Sequence, residues 1–327
     1  MAFSTPIPTT SVLSNADRWD HILARWGVRR SEHRVEPGLY ALGQPTPQSR
    51  VFVTANYTLS FDALRSSLEG VDGYILVLDT KGINVWCAAG KGTFGTDELV
   101  DRIAAVGLYE VVAHRTLILP QLGAPGVSAH EVKRRSGFKV EYGPVRAADL
   151  QEYLETGQAT PEMRRVRFDL RDRLALIPVE LVHIFWPTAL VAALLWLLAG
   201  PLAGLAVPAA VLAGVALFPI LLPWLPTRPF SSKGLILGAV TALPWAALAY
   251  VQHAASGWWP RLGWVLAFLL AMPPVTAYLA LNFTGSTTFT SKSGVRREMM
   301  RYIPIMAWTF GVGAVLTVAL VVSHFVM

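Results

Sequence analysis

The 327-residue chain contains a single cysteine, Cys87. One cysteine excludes an internal disulfide, a cysteine-ligated iron–sulfur cluster and a four-cysteine zinc site within this chain. The metal-binding spacings H-E-x-x-H and C-x-x-C are also missing. Any thiolate ligand that these residues offer to a metal must therefore come from Cys87.

Acidic residues are almost absent from the second half of the chain, where only Glu298 follows Glu180. The whole sequence is 53% hydrophobic and only 15% charged, which is too apolar for two water-soluble domains. Five apolar stretches, at 174–199, 202–222, 234–255, 262–283 and 302–327, are each long enough to cross a hydrocarbon core of ~30 Å. The sequence therefore predicts an all-α transmembrane domain of five helices after the first half.

Basic residues are distributed unequally between the two sides of these spans. Eleven lie in the junction before the first span and in two loops, and Arg261 alone lies on the opposite side: Arg164, Arg165, Arg167, Arg171, Arg173, Arg228, Lys233, Lys292, Arg296, Arg297 and Arg301. The positive-inside rule then predicts a multi-pass protein of the cytoplasmic (inner) membrane, with the first half cytoplasmic and Met327 outside. This bias also accounts for the net charge of +6, so the charge does not call for a nucleic-acid partner.

The first 28 residues include Asp17, Arg18 and Asp20 and no apolar core of signal-peptide length, which favours a cytoplasmic N-terminus. Residues 1–45 are rich in Ser, Thr and Pro, and we expect a flexible lead-in with one short helix at about 16–26. The remaining domains are predicted at 46–160 (a ligand-binding α/β domain), 161–173 (a basic junction) and 174–327 (the membrane domain).

Strand and helix patterns alternate through the first half. We expect strands at 50–57, 73–80, 111–119 and 139–145, and helices at 61–69, 96–106, 128–136 and 147–154, with Thr96 as an N-cap. This alternation is typical of an open, Rossmann-like α/β sheet, in which ligands bind at the carboxyl ends of the strands.

The string Ile83-Asn-Val-Trp-Cys-Ala-Ala-Gly-Lys91 directly follows the apolar strand at 73–80. Asn84 is a favourable N-cap and Gly90 a natural stop for a short helix. Cys87 would then lie in the first turn, where backbone N–H groups favour a thiolate. A lone cysteine can equally be a small, inert, buried hydrophobe.

Four other features could belong to a site, and each has a structural alternative. Residues 90–95 match G-x-G-x-x-G, but they follow a predicted helix rather than a strand, which favours a glycine-rich turn over a dinucleotide fingerprint. The Gly- and Pro-rich stretch 120–127 is either a long connection or a rigid wall against a flat cofactor. His114 and His130 are isolated histidines. Glu180 and His183, one helical turn apart in the first span, are either functional intramembrane groups or markers of the interface.

The string Asn84-Val-Trp-Cys-Ala-Ala-Gly-Lys91 resembles the cap-helix motif Asn-(Val/Ile)-Trp-Cys-Ala-(Ala/Ser)-Gly-Lys of the HgcA family, the corrinoid proteins of microbial mercury methylation. The resemblance extends to the order of domains, an α/β domain followed by five transmembrane helices. In addition, the Asp-x-His-x-x-Gly string with which many corrinoid proteins supply a histidine to cobalt is missing.

The resemblance implies a cobalamin-binding domain related to the corrinoid iron–sulfur protein. It implies a base-off cobalamin or related corrinoid with Cys87 as the lower axial cobalt ligand and as the catalytic residue. The cofactor-binding residues would be Asn84, Val85, Trp86, Cys87, Ala88, Ala89, Gly90, Lys91, Gly92, Gln121, Gly123 and Gly126. The implied reaction is methyl transfer from methyl-Co(III) cobalamin to Hg(II). The implied partners are a ferredoxin with two [4Fe–4S] clusters, as reductant and mercury donor, and a methyltetrahydrofolate-linked methyl donor.

Two other functions remain open at this point. The chain could be a membrane-bound corrinoid methyl carrier whose acceptor is not mercury, because the acceptor meets cobalt rather than a protein motif. It could also be a membrane sensor or transporter that uses Cys87 as a soft-metal ligand. Transport is disfavoured because no span contains a cysteine and only one contains an acidic residue.

Overall fold

The computed structural model of the protein describes residues 5–29, 31–287 and 291–326, and the chain divides into two compact units, 1–167 and 168–327. The first unit consists of β1 (Ile7–Thr9), α1 (Asn15–Arg25), β2 (Gly38–Leu42), β3 (Val51–Ala55), α2 (Thr58–Ser66), β4 (Gly73–Leu78), α3 (Val85–Lys91), α4 (Thr96–Ala105), α5 (Leu108–Val111), β5 (Thr116–Leu119), α6 (Ala129–Ser136), β6 (Lys139–Tyr142) and α7 (Leu150–Thr156). Short 3₁₀ turns occupy Gln121–Gly123 and Ala147–Asp149.

The strands of the first unit form one mixed six-stranded sheet in the order β1-β2-β4-β3-β5-β6. The four strands β4, β3, β5 and β6 are parallel, whereas β2 runs antiparallel to β4 and pairs with β1 in parallel. The predicted α/β class is therefore confirmed, and the sheet is mixed because β2 is antiparallel to β4. From β3 the chain passes first to β4 on one side and then to β5 on the other, so the carboxyl ends of β3 and β5 flank a topological switch point.

Every residue of β3 and β4 is buried, because helices cover both faces of the sheet. Alternate residues of these strands enter two separate cores. One core contains Val51, Val53 and Leu76 together with residues of α3 and α4, and the other contains Phe52 and Ile75 together with residues of α2 and α7.

The segment 1–45 differs from the flexible lead-in that we expected. It contains the expected helix, as α1, and also the strands β1 and β2. Residues Gly38–Leu42 pair with the edge of β4, and Leu39 and Leu42 point into the two cores. Backbone pairing and these buried leucines stabilise a segment whose Ser, Thr and Pro content suggested a loop.

Several predicted boundaries differ from the structure, and the helix expected at 61–69 is α2 at Thr58–Ser66. The strand expected at 111–119 begins only at Thr116, because α5 occupies Leu108–Val111. The helix α4 is preceded by Gly95 as N-cap, and the Thr96 hydroxyl instead accepts a hydrogen bond from the Ser128 backbone N–H, with 2.9 Å between Oγ1 and N.

The second unit is helical, with α8 (Leu170–Leu174), α9 (Ile177–Ala199), α10 (Pro201–Leu212), a π-helical turn (Ala213–Leu217), α11 (Phe218–Leu221), α12 (Phe230–Gln252), α13 (Trp258–Ala280), a 3₁₀ segment (Leu281–Ser286) and α14 (Lys292–Val326). Within the described ranges, five helical segments are long and apolar enough to span a membrane: Leu170–Ala199, Pro201–Leu221, Phe230–Gln252, Trp258–Ser286 and Ser293–Ser323. This confirms the five predicted spans as helices. Met327, expected outside the membrane, lies outside the described residues.

One arginine of the predicted basic junction has a structural role in this unit. Arg173 is buried, and its Nη1 donates hydrogen bonds to the carbonyls of Pro219 (3.1 Å) and Ile220 (2.6 Å). It therefore satisfies carbonyl groups of α11 that have no partner within that short helix.

Candidate functional site around Cys87

The helix α3 begins as the sequence predicts. Asn84 is its N-cap, and the Asn84 Oδ1 accepts a hydrogen bond of 2.9 Å from the Cys87 backbone N–H. The cap orders the first turn, and Cys87 is the third helical residue. The predicted stop at Gly90 is wrong, since the helix continues to Lys91 and ends at Gly92, whose φ of 85° is left-handed.

The two faces of α3 have different surroundings. Val85, Ala88 and Ala89 are buried in the core beside β3 and β5. The opposite face carries Trp86 and Cys87, both half-buried, and the exposed residues Gly90 and Lys91. Cys87 is a free thiol, and among the described residues it forms no hydrogen bond through sulfur. The only cysteine of the chain is therefore accessible on the outer side of a capped helix.

Gly90 lies on this outer face, three residues after Cys87. A Cβ built at this position would have no atom within 4 Å, and the backbone there is not left-handed. Neither packing nor backbone conformation therefore requires glycine here. Glycine inside a helix lowers stability by about 0.5–1 kcal/mol relative to alanine. At Gly90 this loss of stability leaves the helix surface beside Cys87 free of a side chain.

Asn56 fixes the turn that leads from β4 into α3, although no motif in the sequence marks it as a site residue. Its side chain is 2% exposed, at the carboxyl end of β3. The Asn56 Oδ1 accepts hydrogen bonds from the backbone N–H groups of Thr80 and Gly82, both at 3.0 Å. The Thr80 hydroxyl in turn donates to the Ile83 carbonyl at 2.6 Å. These bonds place the N-terminus of α3 above the carboxyl edge of the sheet.

Charged groups surround the same turn. The Asp79 carboxylate accepts hydrogen bonds from the Lys81 ammonium (2.6 Å) and the Lys81 backbone N–H (3.0 Å). The hydrogen bond from the Lys81 side chain lowers the pKa of Asp79 below its ordinary value, while partial burial acts in the opposite direction. Glu98 accepts from the Asp79 backbone N–H at 2.8 Å and pairs with Arg102 at 2.7 Å. These carboxylates are paired and hold the turn.

The stretch 120–127 packs through its glycines against Phe94 and against α3. A Cβ on Gly123 would lie 2.5 Å from Cε1 of Phe94, and one on Gly126 would lie 3.0 Å from Cα of Ala89 and would overlap the Phe94 carbonyl oxygen. Both glycines therefore allow the chain's own elements to approach closely. The third residue assigned to this stretch, Gln121, is half-buried, and its Oε1 accepts a hydrogen bond of 3.1 Å from Arg164 Nη1.

The match to G-x-G-x-x-G at 90–95 lies between two helices, α3 and α4, and not between a strand and a helix. Its middle glycine, Gly92, adopts the left-handed conformation that ends α3. The segment is therefore a glycine-rich connection between helices, without the geometry that a dinucleotide fingerprint requires.

The histidines considered from the sequence do not converge on Cys87. His114 contacts backbone atoms, with Nε2 2.9 Å from the Ser49 carbonyl and Nδ1 3.2 Å from the Thr116 nitrogen. His130 is exposed beside Ser128. In the second unit, Glu180 accepts a hydrogen bond of 3.0 Å from Asn282, and His183 is exposed. Across the described residues, no group of three or more His, Cys, Asp or Glu side chains is arranged to hold a metal ion.

Comparisons with known proteins match the first unit. Residues 27–154 match the family model described as CO dehydrogenase/acetyl-CoA synthase delta subunit. The acetyl-CoA decarbonylase/synthase complex subunit gamma of Archaeoglobus fulgidus is 34% identical over 128 residues, which are 38% of this chain and 27% of that subunit. The corresponding subunit of Methanopyrus kandleri is 33% identical over 128 residues, with the same two shares. The domain around Cys87 is therefore similar to subunits of acetyl-CoA synthase and decarbonylase/synthase complexes.

The matched segment includes β2 to β6 and all of α3, so the similarity covers the candidate site. The chain spans about a quarter of the length of these curated relatives, and the five apolar helices lie outside the match. The similarity therefore concerns the α/β unit alone.

Proposed function

We propose that this chain is a membrane-anchored, corrinoid-dependent methyltransferase whose methyl acceptor is Hg(II) and whose product is methylmercury. The observation that carries the proposal is Cys87, a free and accessible thiol on a capped helix above the carboxyl edge of the sheet. It lies within the segment that is similar to subunits of a CO dehydrogenase/acetyl-CoA synthase complex. The mercury acceptor rests on the resemblance of residues 84–91 to the HgcA motif.

The residues at the site fit a corrinoid with a cysteine ligand. A thiolate is a soft ligand suited to a transition metal, and Cys87 has no competing hydrogen-bond partner among the described side chains. The surface beside it is open, because Gly90 and Gly92 would each have nothing within 4 Å of a Cβ. A bound corrinoid would supply cobalt chemistry for methyl transfer, and Cys87 would be the residue that holds its cobalt.

The other residues of the site have supporting roles in this proposal. Asn84 holds the first turn of α3, and Asn56 holds the turn before it, so the direction of the Cys87 side chain is set by buried or capped hydrogen bonds. Trp86, Gly90, Lys91 and Gly92 would form the surface toward the ring. The remaining residues would support α3 without touching the ring, because they pack this helix against the core and the 120–127 stretch: Val85, Ala88, Ala89, Gly123 and Gly126.

Electron supply requires another protein in this proposal. Corrinoid-dependent methyl transfer needs low-potential electrons to restore the cofactor, and cysteine-ligated clusters reach about −700 mV. A chain with one cysteine cannot hold such a cluster. We therefore propose a ferredoxin with two [4Fe–4S] clusters as the reductant and mercury donor, and a methyltetrahydrofolate-linked system as the methyl donor.

The membrane orientation belongs to the same proposal. The α/β unit and the two basic loops would be cytoplasmic and the C-terminus outside, because eleven basic residues lie on one side of the spans and one on the other. A periplasmically active reporter at the C-terminus and a cytoplasmic reporter near Ser291 should both be active. Activity of the cytoplasmic reporter at the C-terminus would contradict this orientation.

The test uses the full chain in nanodiscs, loaded with cobalamin. Wild-type protein loaded with isotopically labelled methylcobalamin should bind about one corrinoid and form at most about one labelled methylmercury per corrinoid from added Hg(II), measured by mass spectrometry. Cys87→Ala should keep the corrinoid, change its visible spectrum and lose methylmercury formation. Ser66→Ala, a hydroxyl deletion at the end of α2, is the matched control and should leave both unchanged.

The outcomes separate the alternatives. Corrinoid binding and methyl transfer without methylmercury would identify a carrier with another acceptor. An unchanged spectrum and full activity in Cys87→Ala would refute the assignment of the cobalt ligand. Failure of the wild-type chain to bind any corrinoid would refute the proposed function.

A further inference from the structure

The helix α1 has an unusual distribution of polar and apolar residues. Trp19, Ile22 and Trp26 have helical spacing i, i+3 and i+7, so they lie on one face. They are 61%, 46% and 47% exposed, respectively. Large apolar side chains at this spacing normally face a core. Here they face solvent.

The opposite face of α1 is attached to the first unit by charged groups. Asp17 pairs with Arg65 at 2.9 Å, and His21 Nε2 lies 2.7 Å from the Asp62 carboxylate. Asp62 and Arg65 are buried and joined to each other at 2.6 Å.

A second polar contact holds the middle of the same helix. Asp20 lies 2.7 Å from His33 Nδ1, and His33 is buried. Polar contacts therefore determine how α1 sits on the domain, and its tryptophans take no part in that attachment.

The apolar face is bordered by positive charge. Arg18 and Arg25, seven residues apart, are exposed along one flank and form no ion pair with any described residue. Arg29 follows the helix and lies 3.7 Å from Glu32. Within α1, the acidic side chains Asp17 and Asp20 are on the inward face. A helix with exposed tryptophans and flanking arginines has the composition of one that lies in a membrane interface, where tryptophan is enriched.

We propose that the outward face of α1 docks on the anionic surface of the membrane that contains the five apolar helices. The positive flank of α1 complements anionic lipid headgroups, and Trp19, Ile22 and Trp26 would enter the headgroup region. The membrane is available to this helix at all times, because the same chain carries the five helices. The proposal does not depend on the proposed function.

The experiment places a nitroxide label on the face in question. The full chain carries Cys87→Ala and Ile22→Cys, is labelled at residue 22 and is reconstituted in nanodiscs with or without phosphatidylglycerol. Collision with lipid-soluble oxygen and with a water-soluble nickel chelate is measured by electron paramagnetic resonance. A matched protein labelled through Lys133→Cys, on the exposed face of α6, serves as the control.

With phosphatidylglycerol present, the label at residue 22 should be accessible to oxygen and shielded from the nickel chelate, and the control label should show the reverse. Each of Arg18→Gln and Arg25→Gln should lower the ratio of docked to undocked protein about fivefold, which corresponds to ~1 kcal/mol per arginine at such a surface. High salt should act in the same direction.

Trp19→Glu combined with Trp26→Glu should abolish the shielding. Both side chains are exposed, and circular dichroism should verify that this variant is folded. A label at residue 22 that remains open to the nickel chelate in phosphatidylglycerol nanodiscs would overturn the proposal. Shielding that appears only after a cytosolic protein fraction is added would also overturn it, because the face would then bind a protein.

Discussion

Replacing Gly90 with alanine should stabilise the protein while weakening its binding of corrinoid. Gly90 lies inside α3, is exposed, has a backbone compatible with any residue and has nothing within 4 Å of a Cβ. An alanine methyl group therefore meets no atom of the chain. From helix propensity and the smaller entropy of the unfolded chain, we expect a gain of about 0.4–1 kcal/mol.

The effect on the cofactor should have the opposite sign. If a flat ring approaches the face that carries Cys87, the added methyl group enters the contact, and overpacking of this kind costs ~1–3 kcal/mol. The dissociation constant for cobalamin should therefore rise roughly 5- to 150-fold. A residue that served only to build the helix could not produce a gain in stability together with this loss of affinity.

The assay has two parts. Amide hydrogen exchange of α3 in the cofactor-free chain reports on opening of this helix, and Gly90→Ala should slow it. Titration with cobalamin, followed by visible absorption, gives the affinity. Gly311→Ala is a matched control, since Gly311 lies within α14 and also has nothing within 4 Å of a Cβ. Unchanged or tighter corrinoid binding in Gly90→Ala would refute a ring on this face.

Three further predictions follow from the contacts of the first unit. Asn56→Leu should leave the Thr80 and Gly82 N–H groups without their acceptor, at ~1–3 kcal/mol for a buried donor. Amide hydrogen exchange of α3 in the cofactor-free chain should then be faster, and an unchanged exchange rate would exclude Asn56 from positioning α3. Gly126→Ala should lower the unfolding temperature, because its Cβ would overlap the Phe94 carbonyl, and an unchanged temperature would contradict that packing. Burial alone would lower the pKa of His33, but hydrogen bonds to Val28 and Asp20 raise it above 6.5. The stabilisation that protonated His33 gives to the folded state is therefore complete below pH 6.5 and is lost as the pH rises through the raised pKa. Hydrogen-exchange protection of α1, corrected for intrinsic rates, should decline over that range in wild type and not in His33→Gln.

The predictable part of the fold is the part governed by local patterns. The apolar run at 73–80 predicted a buried strand because a parallel strand covered on both faces needs apolar residues at every position, and β4 is such a strand. Asn84 was predictable as a cap because its side chain needs only a neighbour three residues away. The five apolar helices followed from length and hydropathy alone.

The unpredicted parts depend on distant partners. β2 is a strand because Gly38–Leu42 pairs with β4, some thirty residues away in sequence. Asn56 was overlooked because its role depends on the Thr80 and Gly82 N–H groups, which only the tertiary fold brings to it. The one available signal was an asparagine near the carboxyl end of the strand predicted at 50–57, at the edge where a site is expected.

The helix α1 illustrates why periodicity identifies a helix without identifying its inner face. Its sequence has one apolar and one charged side, and the usual inference would bury Trp19 and Trp26. Which side is buried depends on the residues that the domain places against the helix. Here these are Asp62 and Arg65, which are both buried and pair with His21 and Asp17 of α1, respectively. These charged groups would be costly to bury without partners, so they attach the polar side of α1 and leave the tryptophans outside. Two charged residues of α2, some forty positions away, thus determine which face of α1 is exposed, which the local sequence of α1 leaves undecided.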